Sequence, residues 1–423
     1  VPHHPPQSLD VSEAATGKAD AHAWVGLGAL SLLFFLITAG SFTALGAVLP
    51  DMVASLHWSW TAAGLGYTIL GVTCGLASYA PAMLIRRIGV RATLAFGAVL
   101  MAMGFACFSM VEALSLYWIG AGLIGAGFAL TATIPATYVL TRSFKHASAA
   151  FGAYFTFGAL GGAGGPLLYS ALRTVAPDWR VYWILFGVLV VAVGLITALA
   201  VPDGEDAAPV AEDDSPIYHA RRDFTVREAL ATPQFWIITA AYTAYLTCET
   251  SVNGLSVAHL VQRGIAPAIA GGMLSLQALV NAAARAGGGV LGERIDPRRL
   301  VIGALALTAI GIAALAQARG YPLMLTYVLG VGIGYGVSYL ATILLLLNYF
   351  GRKRNLELFS IMCLVSTLAA GGPWLAGWMR DRLGGFEAAF GLFAALSVIV
   401  MLAVVLMRPP GPVASAPNSG GRS

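Results

Sequence analysis

The residues of this chain best suited to chemistry are Arg285 and Asn281, four positions apart in the otherwise apolar stretch LSLQALVNAAARAGGGVLG. Side chains at i and i+4 share a helix face, so the guanidinium and the amide would point the same way. An arginine fork grips a carboxylate through two parallel charge-assisted hydrogen bonds, and exclusion of water strengthens both. The next basic residue along the chain is Arg294. It lies about 13 Å further up a helix, so snorkelling would carry the Arg285 side chain only part of the way to that level. A cation held in an apolar medium is expensive and implies an anionic partner. The alternative is structural: Arg285 pairs with an acid or with helix carbonyls and only holds its neighbours together.

These residues must be positioned by elements that lie in a membrane. The chain is 58% hydrophobic with 10% charged residues, and its mean hydropathy is +0.78. A soluble protein of 423 residues is not so apolar. Twelve stretches long enough to cross about 30 Å of hydrocarbon recur at 24–50, 61–85, 92–111, 115–140, 148–171, 181–201, 234–257, 268–292, 300–318, 322–348, 356–379 and 386–407. Their Gly, Ala and Leu content and lack of period-two alternation predict helices, which satisfy every backbone group internally. The fold class is an all-α membrane protein of twelve transmembrane helices in two six-helix bundles, with Arg285 in the eighth.

Charge sets the expected orientation. With the N-terminus in the cytoplasm, seventeen of the 24 Lys and Arg residues fall on the inner side, six on the outer, and Arg285 within a span. This excess of inner positive charge places both termini in the cytoplasm and the protein in the cell membrane. The net charge of +4 is distributed by that topology and implies no nucleic-acid partner. Residues 1–23 are expected to be a disordered cytoplasmic tail, in which His3 and His4 have no metal role. Residues 24–201 form the first bundle, and 202–233 a cytoplasmic linker with an acidic start and a short basic amphipathic helix. Residues 234–407 form the second bundle and 408–423 a cytoplasmic tail. Cys74, Cys107, Cys248 and Cys363 lie within apolar stretches and read as buried thiols without disulfide or zinc spacing.

The halves repeat one another. Gly165-Pro166 corresponds to Gly372-Pro373 at an offset of 207, and the same offset superimposes Arg87 and Arg91 on Arg294 and Arg298. Two unrelated motifs agreeing on one register indicate a duplication, and parallel six-helix halves suit a transporter that rocks about a central site. Arg285 maps onto Ser78. It therefore lies outside the shared scaffold.

Over residues 24–407 the chain resembles the major facilitator superfamily. The family's loop motif between the second and third helices has its counterpart in AMLIRRIGVR at 82–91, where Arg86 replaces the acid, and in GVLGERIDPR at 289–298, which keeps Glu293. The resemblance implies a cytoplasmic latch, here Arg87, Arg91, Glu293 and Arg294. REALATPQFW at 227–236, NAAAR at 281–285 and NYFGRKRN at 348–355 resemble the branch of oxalate/formate antiporters and monocarboxylate transporters. In that branch the arginine of the eighth helix binds the substrate carboxylate, a role the resemblance assigns to Arg285, with Asn281 orienting it. Members that carry oxalate resemble one another in a lysine of the eleventh helix, and 356–379 has none. A monoanion fits better.

Glu249 in the seventh helix is the other deeply placed charge. It either lines an outer vestibule in contact with water or takes up a proton from outside and couples its movement to the substrate. Opposite helix directions separate it from Arg285 by roughly 15 Å of height, which argues against a permanent direct ion pair. Tyr67, Thr131, Tyr154, Tyr242, Tyr335 and Tyr339 are candidates to line the site, although packing explains each equally well. Gly165, Pro166, Gly372 and Pro373 read as sites of close packing and bending, since Tyr169 and Ser170 stand where the family's exporter motif has glycines.

The expectation is a monomeric secondary transporter of an organic monoanion, a monocarboxylate by preference, moving with a proton by alternating access. Anion exchange, proton-driven export of an amphipathic compound, and a non-transporting sensor on the same scaffold are the alternatives. No Ser/His/Asp set, nucleotide loop or metal cluster occurs at membrane depth, so no enzyme and no cofactor is expected.

Overall fold

The computed structural model describes residues 9–144, 147–201, 223–292, 295–351 and 354–410. Their regular structure is entirely helical. Span one consists of α1 (Leu9–Gly40) and α2 (Phe42–Leu56), which part at Ser41, where φ −106° and ψ −101° leave the helical region. Span two is α3 (Trp60–Ala77) and the first turns of α4 (Ala80–Ser109). Gly89, at φ +84°, makes the turn within α4 into span three, a conformation that residues with a Cβ rarely adopt. Span four comprises α5 (Leu114–Thr131) and α6 (Thr133–Ser143), parted at Ala132. Spans five and six are α7 (Ala147–Val175) and α8 (Arg180–Ala200).

The second half begins with α9 (Val226–Leu230), the short helix expected before span seven. A capping box starts it: Thr225 Oγ1 accepts from Glu228 N at 3.3 Å, and Glu228 accepts from Thr225 N at 2.8 Å. Spans seven to ten are α10 (Pro233–Gln262), α11 (Pro267–Gly292), α12 (Pro297–Gln317) and α13 (Tyr321–Phe350). Proline occupies the first position of α10, α11 and α12, where no backbone N–H is needed. Span eleven is α14 (Asn355–Ser366), a 3-10 turn (Thr367–Gly371) and α15 (Gly372–Leu383), and span twelve is α16 (Glu387–Leu406). Among the described residues, ten helical stretches are long and apolar enough to cross a membrane. The 30-residue α10 is long enough too, but carries Thr243, Thr247, Glu249 and Asn253. It is a polar span made for the interior.

Helix α1 starts at Leu9, ahead of the apolar stretch, where the alanines of VSEAATGKADAHAW favour helix. His3 and His4 lie outside the described residues, as do 202–222 of the linker. One expectation changes. Of the four thiols only Cys248 is buried, while Cys74, Cys107 and Cys363 are half-buried, because an apolar span presents its small residues to cavities and neighbours alike.

The duplication has a physical counterpart. Arg91 Nε donates to Val201 O at 2.8 Å, just beyond the end of α8. Arg298, at the offset of 207, donates through Nε to Val404 O at 3.1 Å and through Nη2 to Val405 O at 2.5 Å, in the last turn of α16. Each half thus closes the carbonyl end of its own last helix with an arginine from the corresponding loop. That is the role found for Arg91. Glu293 and Arg294 of the expected latch lie outside the described residues, and Arg87 is exposed.

The halves meet along three helix pairs: α3 with α15, α7 with α11, and α2 with α10. At Gly46 in α2 a Cβ would fall 1.7 Å from Asn253 O, so the two backbones touch. Gly152 of α7 and Gly272 and Gly287 of α11 have no atom within 4 Å of a Cβ position. The tightest approaches between the halves, Gly46 to Asn253, Gly64 to Pro373 and Gly377 to Trp60, gather towards the end carrying Trp60 and Leu383, and the bundle is closed there.

Candidate functional site

Arg285 is held by α11 and α13. Glycines make this possible: a Cβ at Gly336 would lie 2.7 Å from Asn281 O and 3.1 Å from Arg285 N, so only hydrogen there lets α13 press against the turn that carries Arg285. Gly332, one turn earlier, abuts Gln277 O in the same way at 2.9 Å. Gly330 and Gly334 face Gly311 and Thr308 of α12 instead. With two sides of α13 bare, its tyrosines project from the third.

Those tyrosines flank the guanidinium. The Arg285 Cζ lies 5.0 Å from the Tyr335 ring centroid and 5.1 Å from that of Tyr339, within the range of cation–π attraction. Arg285 Nε donates to Asn281 Oδ1 at 3.0 Å, as the i, i+4 spacing requires. Arg285, Asn281, Tyr335 and Tyr339 are half-buried. Among the described residues no carboxylate pairs with Arg285. One edge of the cation is anchored, and its terminal nitrogens have no anionic partner.

Helix α10 closes the cluster. Tyr245 meets Tyr335 edge-on at 5.4 Å and Tyr242 at 5.0 Å, and Tyr242 meets Phe359 of α14 at 6.1 Å. Cys363 Sγ lies 3.9 Å from the Tyr242 hydroxyl. Five sequence candidates, Arg285, Asn281, Tyr242, Tyr335 and Tyr339, therefore converge, joined by Tyr245, Phe359 and Cys363.

Three candidates lie elsewhere. Tyr67 is buried and donates to Phe42 O at 3.0 Å, satisfying a carbonyl beside the break at Ser41. Thr131 is buried, back-bonds to Gly127 O at 2.9 Å and packs against α4 through Gly97. Tyr154 stacks on Phe34 of α1 with centroids 4.4 Å apart. Thr131 and Tyr154 serve contacts within the first half, whereas the Tyr67 ring also lies against Gly254 of α10, where a Cβ would meet it at 3.2 Å.

Glu249 is 4% exposed in this conformation. Gln277 Nε2 donates to both of its oxygens, at 3.3 and 3.1 Å, and Asn253 Nδ2 to Oε1 at 3.3 Å. These amides occupy the positions an ion-pair partner would take. Gln277 stands four residues before Asn281 and eight before Arg285, so one stripe of α11 carries all three polar groups over about 12 Å of rise. That spacing was the signal in the sequence for Gln277.

The glycine-proline pairs do what close packing asks. Gly165 lies against Ala39 O of α1, and Gly372 against Ser251 of α10. No metal-ligating group of three or more His, Cys, Asp or Glu residues occurs among the described residues.

The sequence profile of the Major Facilitator Superfamily matches residues 30–258 and again 247–423. No curated protein matches the chain. Among solved structures, the chain is similar to a bacterial homologue of the human lysosomal transporter Spinster in an inward-facing, unoccupied conformation: TM-score 0.67, 17% identity, covering 91% of this chain and 95% of that one. It is also similar to the nucleoside transporter NupG, with TM-score 0.72 and 13% identity over 90% and 99% of the two chains. A POT family transporter in complex with a thioalcohol-conjugated peptide gives TM-score 0.70 and 14% identity over 90% and 95%.

Proposed function

The chain belongs to the major facilitator superfamily, and from that premise we propose that this membrane transporter carries an organic monoanion, preferentially a monocarboxylate, together with a proton. The observation that carries the reading is the state of Arg285: anchored through Nε by Asn281, flanked by Tyr335 and Tyr339, half-buried, and without a carboxylate partner among the described residues. A substrate carboxylate completes such a site by supplying the anionic partner that the terminal nitrogens of the fork lack among the described residues. The motif resemblance to oxalate/formate and monocarboxylate carriers supports the same assignment, and the missing lysine in span eleven favours one negative charge.

In this reading the basic loops face the cytoplasm, both termini are inside the cell membrane, and the monomer is open inwards. The anion reaches Arg285 from whichever side is open, and Asn281 holds the fork at its docking angle. Glu249 carries the proton. Its two amide neighbours donate to its oxygens, and loading with both proton and anion lets the halves rock without moving net charge. Neutral loads cross a low-dielectric interior more easily than charged ones.

Proteoliposome uptake tests this directly. Radiolabelled monocarboxylates are offered with and without an inward proton gradient, beside the matching uncharged amides. Saturable, gradient-stimulated uptake of an acid but not of its amide is expected, and absence of flux for every acid at every gradient rejects the proposal.

A further inference from the structure

The first turn of α3 is capped by a residue from the other half of the molecule. A helix start leaves its first N–H groups without intrahelical acceptors. In α3 the local cap, Ser59 Oγ, accepts only from Ala62 N, at 3.2 Å. The remaining two are taken by Asp381 of α15: Oδ2 accepts from Thr61 N at 2.8 Å, and Oδ1 from Trp60 N at 3.3 Å. Thr61 Oγ1 donates to the same Oδ2 at 2.6 Å. The sequence separation is 321 residues for the Trp60 contact. Asp381 also has Arg380 Nη1 at 3.5 Å, and its side chain is 24% exposed.

Below this cap the two helices run as an antiparallel seam without room for side chains. A Cβ at Gly377 would fall 2.2 Å from Trp60 O, and one at Gly64 would fall 2.4 Å from Pro373 O. Further along, Gly71 faces Ala370 and Gly75 faces Thr367. The seam joins the halves only while the bundle is closed at this end. Opening it must withdraw Asp381 from α3.

We infer that Asp381 is a state-specific cap, a carboxylate that completes α3 only in the conformation closed at the Trp60 end and thereby sets the balance between the two open forms of the transport cycle. When the seam parts, Ser59 keeps one N–H satisfied and water must take the other two. The carboxylate loses three donors, two of them backbone groups at the positive end of a helix. Nothing else in the first turn of α3 replaces them. The cap is thus a preference for one state over the other rather than a requirement for folding, which is the property a gate residue needs. The inference rests on the two halves alternating and is independent of what Arg285 binds.

The test uses the full chain in nanodiscs with spin labels at Met110→Cys and Tyr321→Cys, exposed positions at the closed end of the first and second halves, after replacement of Cys74, Cys107, Cys248 and Cys363. Distances are measured by pulsed electron resonance without added substrate. Asp381→Ala should raise the population of the longer, opened distance about tenfold relative to the unsubstituted chain, within the range of a charged helix cap. Thr61→Val, which removes only the hydroxyl bond, should shift it in the same direction by less. Both variants should keep the size-exclusion profile of the parent. If both show the parental distance distribution, or if they lose thermal stability with the distribution unchanged, Asp381 is an ordinary structural contact and the inference falls. A carrier with no measurable carboxylate flux would still give this readout, so failure of the transport assignment is separately visible.

Discussion

Replacing Arg285 by lysine separates charge from geometry. Lysine keeps the positive charge but presents a compact ammonium, so it loses the Nε bond to Asn281 at 3.0 Å and the parallel prongs a carboxylate needs. One charge-assisted hydrogen bond contributes about 1.5–3 kcal/mol, so Arg285→Lys should weaken binding of a monocarboxylate roughly 10- to 100-fold. Arg285→Ala removes both prongs, for a loss of about 3–5 kcal/mol, or roughly 100- to 1,000-fold or more. The assay is isothermal titration of acetate, lactate and benzoate into purified protein in detergent, with acetamide, lactamide and benzamide as uncharged controls. Circular dichroism on the same samples shows that the helices persist. The acids should rank wild type, then lysine, then alanine, and the amides should bind weakly to all three. Alanine binding an acid within about threefold of wild type would refute the assignment, since an interaction of this size cannot vanish without trace.

Glu249→Gln keeps the shape but cannot release a proton; accumulation driven by a proton gradient should be abolished while anion exchange without a gradient persists, as counterflow assays would show. Gly336→Ala places a methyl 2.7 Å from Asn281 O. It should cost about 1–3 kcal/mol through overpacking and lower anion affinity alongside the melting temperature. Tyr67→Phe removes the bond to Phe42 O and should cost about 1 kcal/mol of stability, read by thermal unfolding, with acid affinity unchanged.

How much of this was legible in the sequence depended on how many faces a span has to choose from. Arg285 and Asn281 were readable because a charge inside an apolar run has few explanations and the i, i+4 spacing gives it a companion. Gln277 obeyed the same spacing one step earlier, but an uncharged amide in a span attracts no notice until its partner, Glu249, is known to be buried. Tyr67, Thr131 and Tyr154 illustrate the limit. Spans rich in Gly and Ala are apolar on every side, so periodicity does not reveal which face meets lipid, neighbour or cavity, and a tyrosine satisfying a broken helix reads like one lining a site. Ten of the spans are legible from length and hydropathy, whereas the breaks at Ser41 and Ala132 are not, since neither residue is a strong helix breaker. The cap on α3 joins residues more than 300 positions apart, and no local pattern announces such a contact.

The bare sides of α13 carry a last consequence. With Gly332 and Gly336 against α11 and Gly330 and Gly334 against α12, the three helices have no slack between them and move as a slab. Arg285, Asn281, Tyr335 and Tyr339 all ride on it. On the proposed assignment the anion would meet the same face whichever side of the membrane the site opens to, so intrinsic affinity measured from the two sides should agree. On that proposal the direction of net flux follows the gradients imposed, and reversing them should turn uptake into efflux.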